Sequence, residues 1–220
     1  MSTAAVLREI HELLLARFGQ QHWWPGETPF EIMVGAVLTQ NTSWQNVEKA
    51  IANLKEAGLL SPAALTALPP EVLAEHIRPA GYHNLKAGRL KNLLALIAAQ
   101  GGVEALLAQP TAALRQLLLA VKGIGPETAD SIVLYAAGRP VFVVDAYTHR
   151  VCSRHGLIDE QGDYFQLQEL FMDNMAEDVA LFNEYHALLV RLGKEFCKKS
   201  KPRCKDCPLA ALGGQELRLA

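Results

Sequence analysis

The chain lacks several features that would assign it to particular classes of protein. It has no apolar run near the roughly 18 residues that a membrane-spanning helix needs. Charged residues at positions 8, 9, 12 and 17 interrupt the apolar N-terminal stretch at helical spacing, which a secretory signal peptide does not show. Internal repeats and low-complexity segments are absent as well. We therefore expect a soluble globular protein with no membrane partner.

The sequence also lacks a general excess of positive charge. Its 21 basic and 23 acidic residues give a formal net charge of −2, which excludes a surface that is positive all over but allows a local basic patch. Such a patch lies between positions 191 and 206, where seven lysines and arginines outnumber two acidic residues. This stretch is either a solvated tail or a segment that contacts phosphates.

Cysteine is scarce, and its placement argues against a disulfide framework. The chain has four cysteines, and three of them fall within the last 24 residues. Clustered cysteines in a chain of this kind favour a metal site in a reducing compartment.

The hydrophobic pattern predicts an all-α protein. Apolar residues recur at helical spacing, as in the stripe formed by Trp44, Val47, Ile51 and Leu54, and no run alternates as a strand would. A length of 220 residues suits one compact unit or two closely packed lobes.

One segment, residues 117–135, has the pattern of a helix, a tight hairpin and a second helix. Gly123 and Gly125 allow a sharp turn, while Ile124 between them can anchor the turn in a core. The amides after Gly125 would then be unpaired donors at a helix N-terminus, which suit a phosphate oxygen. The pattern indicates either an ordinary helix–helix turn or a phosphate-binding hairpin.

A carboxylate follows the hairpin at the end of a short apolar run. The apolar run Pro140–Val144 ends in Asp145, twenty residues after Gly125, and a new helix is predicted to begin there. Asp145 is therefore either a helix N-cap or a reactive carboxylate exposed at the end of a buried segment.

Together these motifs resemble the helix–hairpin–helix DNA glycosylases related to endonuclease III. The hairpin and the following Val-Asp match that family, as do GAVLTQNT at positions 35–42, GYHNLKA at 81–87 and the C-terminal cysteines. The resemblance covers residues 22 to 208. It implies a two-lobed helical fold, with one lobe at about 28–138 and the other made of about 1–27 and 139–220, and a damaged base bound between them.

The resemblance also implies roles in DNA binding. Gln40 matches the residue that fills the space left by a flipped base, and Tyr82 lies in the loop that wedges into the opposite strand. A helix-terminal hydrogen bond and a surface aromatic are the structural alternatives. The predicted contacts to the DNA backbone are Lys122, Gly123, Gly125 and Thr128.

In this family Asp145 matches the catalytic carboxylate, and Glu127 replaces a nucleophilic lysine. Because a carboxylate cannot form an imine, we predict a monofunctional glycosylase without strand cleavage. Asp145 would stabilise an oxocarbenium-like sugar and orient or deprotonate water.

The aromatic residues point to the substrate. Trp23-Trp24-Pro25 and Trp44 are predicted near the base pocket, where indole faces would favour a positively charged alkylated purine; core packing is the alternative for each tryptophan. The motifs are most similar to bacterial 3-methyladenine glycosylases. Lys194 matches a lysine beside the pocket in that subfamily, although a solvated lysine fits the sequence equally well.

The C-terminal cysteines match three of the four ligands of a [4Fe–4S] cluster. They are Cys197, Cys204 and Cys207, and Gly213 stands where the resemblance places the fourth. The alternatives are a cluster with a non-cysteine fourth ligand, a labile or absent cluster, zinc, or a decayed site.

We predict the first of three functions, and the other two are alternatives. The first is a glycosylase for alkylated purines of the 3-methyladenine type, and the second is a glycosylase for oxidised or deaminated bases. The third is a non-catalytic helix–hairpin–helix DNA-binding module. In each case we expect a monomeric, cytoplasmic, nucleoid-associated prokaryotic protein whose partner is double-stranded DNA, carrying a damaged base in the enzymatic cases.

Overall fold

The computed structural model describes residues 2–23 and 26–214. These residues form helices and connecting turns without a β-strand, which confirms the all-α prediction. The α-helices in chain order are α1 (Thr3–Phe18), α2 (Pro29–Leu38), α3 (Trp44–Glu56), α4 (Pro62–Ala67), α5 (Pro70–His76), α6 (His83–Ala99), α7 (Val103–Leu107), α8 (Thr111–Leu119), α9 (Pro126–Ser131), α10 (Ala146–Arg154), α11 (Tyr164–Met172) and α12 (Val179–Glu195). Shorter helical turns span Arg78–Ala80, Ile132–Ala136, Cys204–Asp206 and Ala210–Gly214.

The chain divides into two compact units. The central unit comprises Trp24–Arg139, and the terminal unit combines Met1–Trp23 with Pro140–Ala220. Among the residues that the structure describes, no helix has the length and apolar character needed to cross a membrane.

Helix α2 is the core of the central unit. Apart from Glu31 it is apolar on all sides, and eight of its ten residues, between Phe30 and Leu38, are buried. Such a helix is stable only when surrounded, and α3, α6, α9 and the Ile132–Ala136 turn pack around it. Its start is fixed by Thr28, whose hydroxyl accepts a hydrogen bond from Glu31 N. The residues that follow its C-terminus are therefore held on a rigid support.

Helix α12 has the same role in the terminal unit. It packs against α1 and α10, and it buries nine residues, among them Phe182, Tyr185, Leu188 and Leu192. The Tyr185 hydroxyl donates a hydrogen bond to Leu7 O at 2.8 Å, which satisfies the polar end of an otherwise apolar contact. The packing of α10 against α12 therefore fixes the positions of their residues relative to each other.

Candidate active site

Asp145 follows a buried segment that fixes its position. Val141, Phe142, Val143 and Val144 are all buried, and the Phe142 ring stacks on Phe171 with the ring centroids 3.9 Å apart. Since the segment is anchored by its side chains, the residue that follows it has little freedom to move. The apolar run predicted from the sequence therefore delivers Asp145 to the start of α10.

Asp145 is the N-cap of α10. Its Oδ1 accepts hydrogen bonds from Thr148 N at 2.7 Å and from Thr148 Oγ1 at 2.9 Å. The capping interpretation and a chemical role do not exclude each other, because the cap uses only one of the two carboxylate oxygens.

The second oxygen of Asp145 faces a histidine that the sequence did not single out. His186 Nε2 on α12 lies 3.6 Å from Asp145 Oδ2, and the exposed fractions of the two side chains are 8% and 12%. Burial opposes the ionisation of Asp145, but the His186 imidazole and the two bonds from Thr148 outweigh burial and hold the pKa of the carboxyl below its usual value. Asp145 is therefore a carboxylate at neutral pH.

The face of α12 that carries His186 also carries Lys194, two helical turns further along. Trp23 lies beside both residues, with its ring edge-on to His186 at a centroid separation of 6.5 Å and Lys194 Nζ 5.7 Å from its centroid. The terminal unit thus brings together three predicted site residues, Asp145, Trp23 and Lys194, and adds His186 to them.

The segment before Trp23 is also held by α12. Gln21 N donates to Glu184 Oε1 at 2.7 Å, and Arg191 Nη1 donates to Phe18 O at 3.2 Å and to Gln21 Oε1 at 3.1 Å. These bonds place Trp23 on the His186 side of the helix. Trp24 and Pro25, also predicted for the base pocket, lie outside the described residues.

A close approach of α10 to α12 brings Asp145 near His186. At Gly193 an added Cβ would lie 2.8 Å from Tyr147 Cβ and would also meet the Tyr147 ring, so only glycine permits this distance between the helices. Arg150 strengthens the contact, since its Nη2 donates to Gly193 O at 3.2 Å.

The hairpin has the predicted helix–turn–helix form. Gly123 has φ +96°, Ile124 is 5% exposed, and Gly125 is the N-cap of α9. Lys122, Gly125 and Glu127 are exposed. The contacts of this hairpin with the DNA backbone stay a prediction.

Gln40 is bound to the hairpin in this structure. Its Nε2 donates to Gly123 O at 3.0 Å and to Thr128 Oγ1 at 2.9 Å, and its Oε1 accepts a hydrogen bond from Arg89 Nη1. Thr128 is buried, so its hydroxyl here serves Gln40. Two residues predicted for different tasks in DNA binding are thus parts of one hydrogen-bonded network.

A buried lysine connects the Gln40 turn with the Tyr82 loop. Lys86 Nζ donates to Leu38 O at 2.8 Å and to Ala80 O at 2.7 Å, which satisfies carbonyls at the ends of α2 and of the Arg78–Ala80 turn. Burial, together with the nearby charge of Arg89, lowers the pKa of Lys86 to about 8. Tyr82 is 70% exposed and has φ +46°, so its ring projects from a strained position on a fixed support.

Gly123→Ala is expected to destabilise the protein by about 1–3 kcal/mol, because φ +96° is unfavourable for alanine. The new Cβ would also lie 2.5 Å from Arg89 Cγ. Urea unfolding measures the loss. The matched control is Gly125→Ala, where φ is −94° and no atom lies within 4 Å of an added Cβ. Equal stability of both variants would contradict this account of the turn.

Trp44 lies in the central unit, whereas Trp23 lies in the terminal unit. It borders a groove of about 460 Å³ between the start of α2 and α3, lined by Gly26, Glu27, Glu31, Trp44, Glu48, Ile51, Ala52 and Lys55. Lys55 bridges Glu27 and Glu31 at 3.0 Å each. The described surroundings of Trp44 are thus partly acidic, and its role in base binding stays a prediction.

The three C-terminal cysteines do not form a complete metal site in the described part of the chain. Cys197 is buried and Cys204 exposed, and no group of three or more histidine, cysteine or acidic side chains among residues 2–23 and 26–214 is arranged to hold a metal ion. Burial, and then the nearby Cys197 and Cys204, raise the pKa of the Cys207 thiol, which a bond from Leu209 N opposes. The arrangement of these residues therefore does not confirm a [4Fe–4S] cluster, and the cluster stays a prediction, which iron and acid-labile sulfide analysis would test.

The cysteine segment is nevertheless attached to α10. Arg150 Nε donates to Cys197 O at 2.6 Å, while Arg154 Nη1 contacts Cys197 Sγ at 3.4 Å and donates to Lys198 O at 2.8 Å. Hydrogen bonds from Arg150 and Arg154 thus hold residues 197 and 198 beside α10.

Comparison with known proteins identifies the family. Residues 34–177 match the HhH-GPD superfamily of base excision DNA repair proteins, and the chain belongs to this superfamily. A protein of Methanocaldococcus jannaschii, provisionally assigned as a DNA repair glycosylase, is 47% identical over 207 residues, which cover 93% of this chain and 94% of that protein.

Two solved structures share the fold. The H. pylori 3-methyladenine DNA glycosylase MagIII, bound to 1,N6-ethenoadenine, is 30% identical, with a TM-score of 0.76 and coverage of 89% of this chain and 98% of that one. A non-covalent complex of endonuclease III with DNA is 26% identical, with a TM-score of 0.83 and coverage of 96% and 95%. The chain is therefore similar both to a 3-methyladenine DNA glycosylase and to endonuclease III.

Proposed function

We propose that this base excision repair glycosylase is a monofunctional enzyme that acts on double-stranded DNA and hydrolyses the N-glycosidic bond of flipped, alkylated purines. The observation that carries the proposal is Asp145, a largely buried carboxylate with one oxygen bound by Thr148 and the other turned towards His186. A fixed, ionised carboxylate is the group that a reaction passing through a cationic sugar requires.

In the proposed reaction the bond between C1′ and the base nitrogen breaks, and its electron pair leaves with the base. A cationic base such as 3-methyladenine leaves as a neutral molecule, which favours bond breaking. The negative charge of Asp145 stabilises the positive charge that develops on the sugar. Water then bonds to C1′, and Asp145 accepts a proton from that water. The products are the free base and an abasic site in an intact strand.

Trp23 supports the choice of an alkylated purine. An indole ring attracts a cation by about 0.5–2 kcal/mol beyond ordinary stacking, and Trp23 lies close to the His186 side chain that faces Asp145. Lys194 Nζ is 5.7 Å from the centroid of the same ring. Because like charges repel, a cationic base would stack on the side of Trp23 away from Lys194.

A second candidate is a glycosylase for oxidised or deaminated bases. The observation that favours it is the higher TM-score with the endonuclease III complex, 0.83 against 0.76 for MagIII. Release of bases from DNA containing 3-methyladenine, thymine glycol or uracil by the purified protein distinguishes the two. We expect release of 3-methyladenine, and a preference for either neutral pyrimidine would reject the alkylpurine proposal.

Glu127 leads to a separate prediction about strand cleavage. It occupies the second residue of α9 and is exposed, at the position where the resemblance places a nucleophilic lysine. We expect no covalent adduct when the protein is treated with borohydride in the presence of abasic DNA. An endonuclease III with the lysine serves as the positive control. A trapped adduct of this chain would show that another amine acts as the nucleophile.

A further inference from the structure

The two oxygens of Asp145 have different surroundings. Oδ1 accepts two hydrogen bonds from Thr148, at 2.7 and 2.9 Å, and this fully engages it in capping α10. Oδ2 faces His186 Nε2 at 3.6 Å. A sugar or a water molecule that meets this carboxylate would therefore meet it at the oxygen next to the imidazole.

The imidazole of His186 is fixed by its packing. It is 7% exposed, it belongs to a helix that approaches α10 closely at Gly193, and the Trp23 ring lies edge-on to it. A ring held in this way can present Nε2 to Asp145 without losing much side-chain entropy on doing so.

We propose that His186 is a positioning residue for the glycosylase reaction, which fixes the orientation of the Asp145 carboxylate at Oδ2. This inference rests on the proposed function of Asp145. His186 acts through the carboxylate and needs no contact with the base or the sugar.

The other titratable groups near Asp145 do not position its carboxylate. Cys152 on α10 is fully buried, and burial, then the charge of Asp145, raise the pKa of its thiol, so it stays neutral. Burial likewise keeps the Tyr185 hydroxyl neutral by raising its pKa, and burial lowers the pKa of His11 on α1, whose ring packs against Tyr185. Lys194 contacts Trp23. Of these side chains, His186 is the one with a nitrogen within 4 Å of Oδ2.

The test compares pH profiles of base release under single-turnover conditions on methylated DNA. His186→Phe removes the imidazole, so the pKa of Asp145 should rise and the acid limb of the rate profile should move to higher pH, while the rate at pH 8 changes much less. His186→Gln keeps an amide donor close to the position of Nε2 and should restore most of the acid side of the profile. His11→Phe, the loss of a half-buried histidine in the same unit, should follow the wild-type profile.

A second measurement does not depend on activity. The ¹³C signal of the Asp145 carboxyl, assigned by comparison with Asp145→Asn, should titrate at higher pH in His186→Phe than in the wild type. Should His186→Phe fail to fold, His186→Asn, whose shorter side chain also removes the imidazole from Oδ2, takes its place in both experiments. An unchanged carboxyl midpoint, or a rate lowered by one factor at every pH, would overturn the inference. If the midpoint shifts but the wild type releases no methylated base, the proposed function fails and the pairing of His186 with Asp145 stands.

Discussion

Replacing Asp145 with asparagine is expected to reduce the rate of base release by about 10²–10⁴-fold, the range for loss of a general base. Asparagine is also a good N-cap and can accept the bond from Thr148 N, so α10 should keep its start. The variant loses the negative charge and the ability to accept a proton from water. Single-turnover release of 3-methyladenine from methylated DNA measures the effect.

The matched control is Asp178→Asn. Asp178 is an exposed N-cap of α12 that accepts a hydrogen bond from Leu181 N at 2.7 Å, in the same unit as Asp145. The Asp178→Asn variant should retain wild-type activity, because Asp178 caps a helix as Asp145 does but is exposed to solvent. Unchanged base release by Asp145→Asn would refute the catalytic assignment. A wild-type protein inactive on a full panel of lesions would instead indicate a non-catalytic DNA-binding module.

The largest loss of stability is expected for Arg115→Met. Asp130 on α9 is completely buried, and Arg115 on α8 holds it through two hydrogen bonds, Nε to Oδ1 at 2.6 Å and Nη2 to Oδ2 at 3.0 Å. Removal of one partner from a buried ion pair costs about 3–5 kcal/mol, because the remaining charge loses an interaction that offset its burial. Urea or thermal unfolding measures this loss, which corresponds to roughly 10 °C in Tm for a chain of this size.

Arg78→Met provides the comparison for that variant. Arg78 pairs with Glu75 at 3.4 Å, but both side chains are about two-thirds exposed, at 69% and 66%, and an exposed pair contributes little. Its free energy of unfolding should stay within about 0.5 kcal/mol of the wild type. If Arg115→Met were as stable as Arg78→Met, solvent or another cation would have to compensate the charge of Asp130.

The fold was largely predictable because its signals are local. Helical periodicity predicted the all-α class, and the glycines at 123 and 125 predicted the hairpin, since both depend on residues close together in the chain. The short apolar run before Asp145 likewise indicated where a helix would begin. These patterns act over a few residues, which is the range that a single sequence reveals.

His186 was missed because its importance comes from tertiary packing. It is 41 residues from Asp145, and within α12 it is one more position of an amphipathic helix. One signal was available, because His186 and Lys194 are eight residues apart and so share a helical face. The partners of Gln40 were equally hidden, since Arg89 and Thr128 reach it only after α6 and α9 pack around α2.

The hydrogen bonds between Gln40 and the hairpin make it costly for Gln40 to move away. Any conformer in which Gln40 leaves the hairpin gives up its contacts with Gly123, Thr128 and Arg89, each contributing about 0.5–1.5 kcal/mol or somewhat more for the charged partner. If Gln40 fills the space left by a flipped base, flipping must break these bonds in addition to the pairing and stacking of the base itself. The same side chain would then make the enzyme slow to open sound base pairs and quicker at those already weakened by damage.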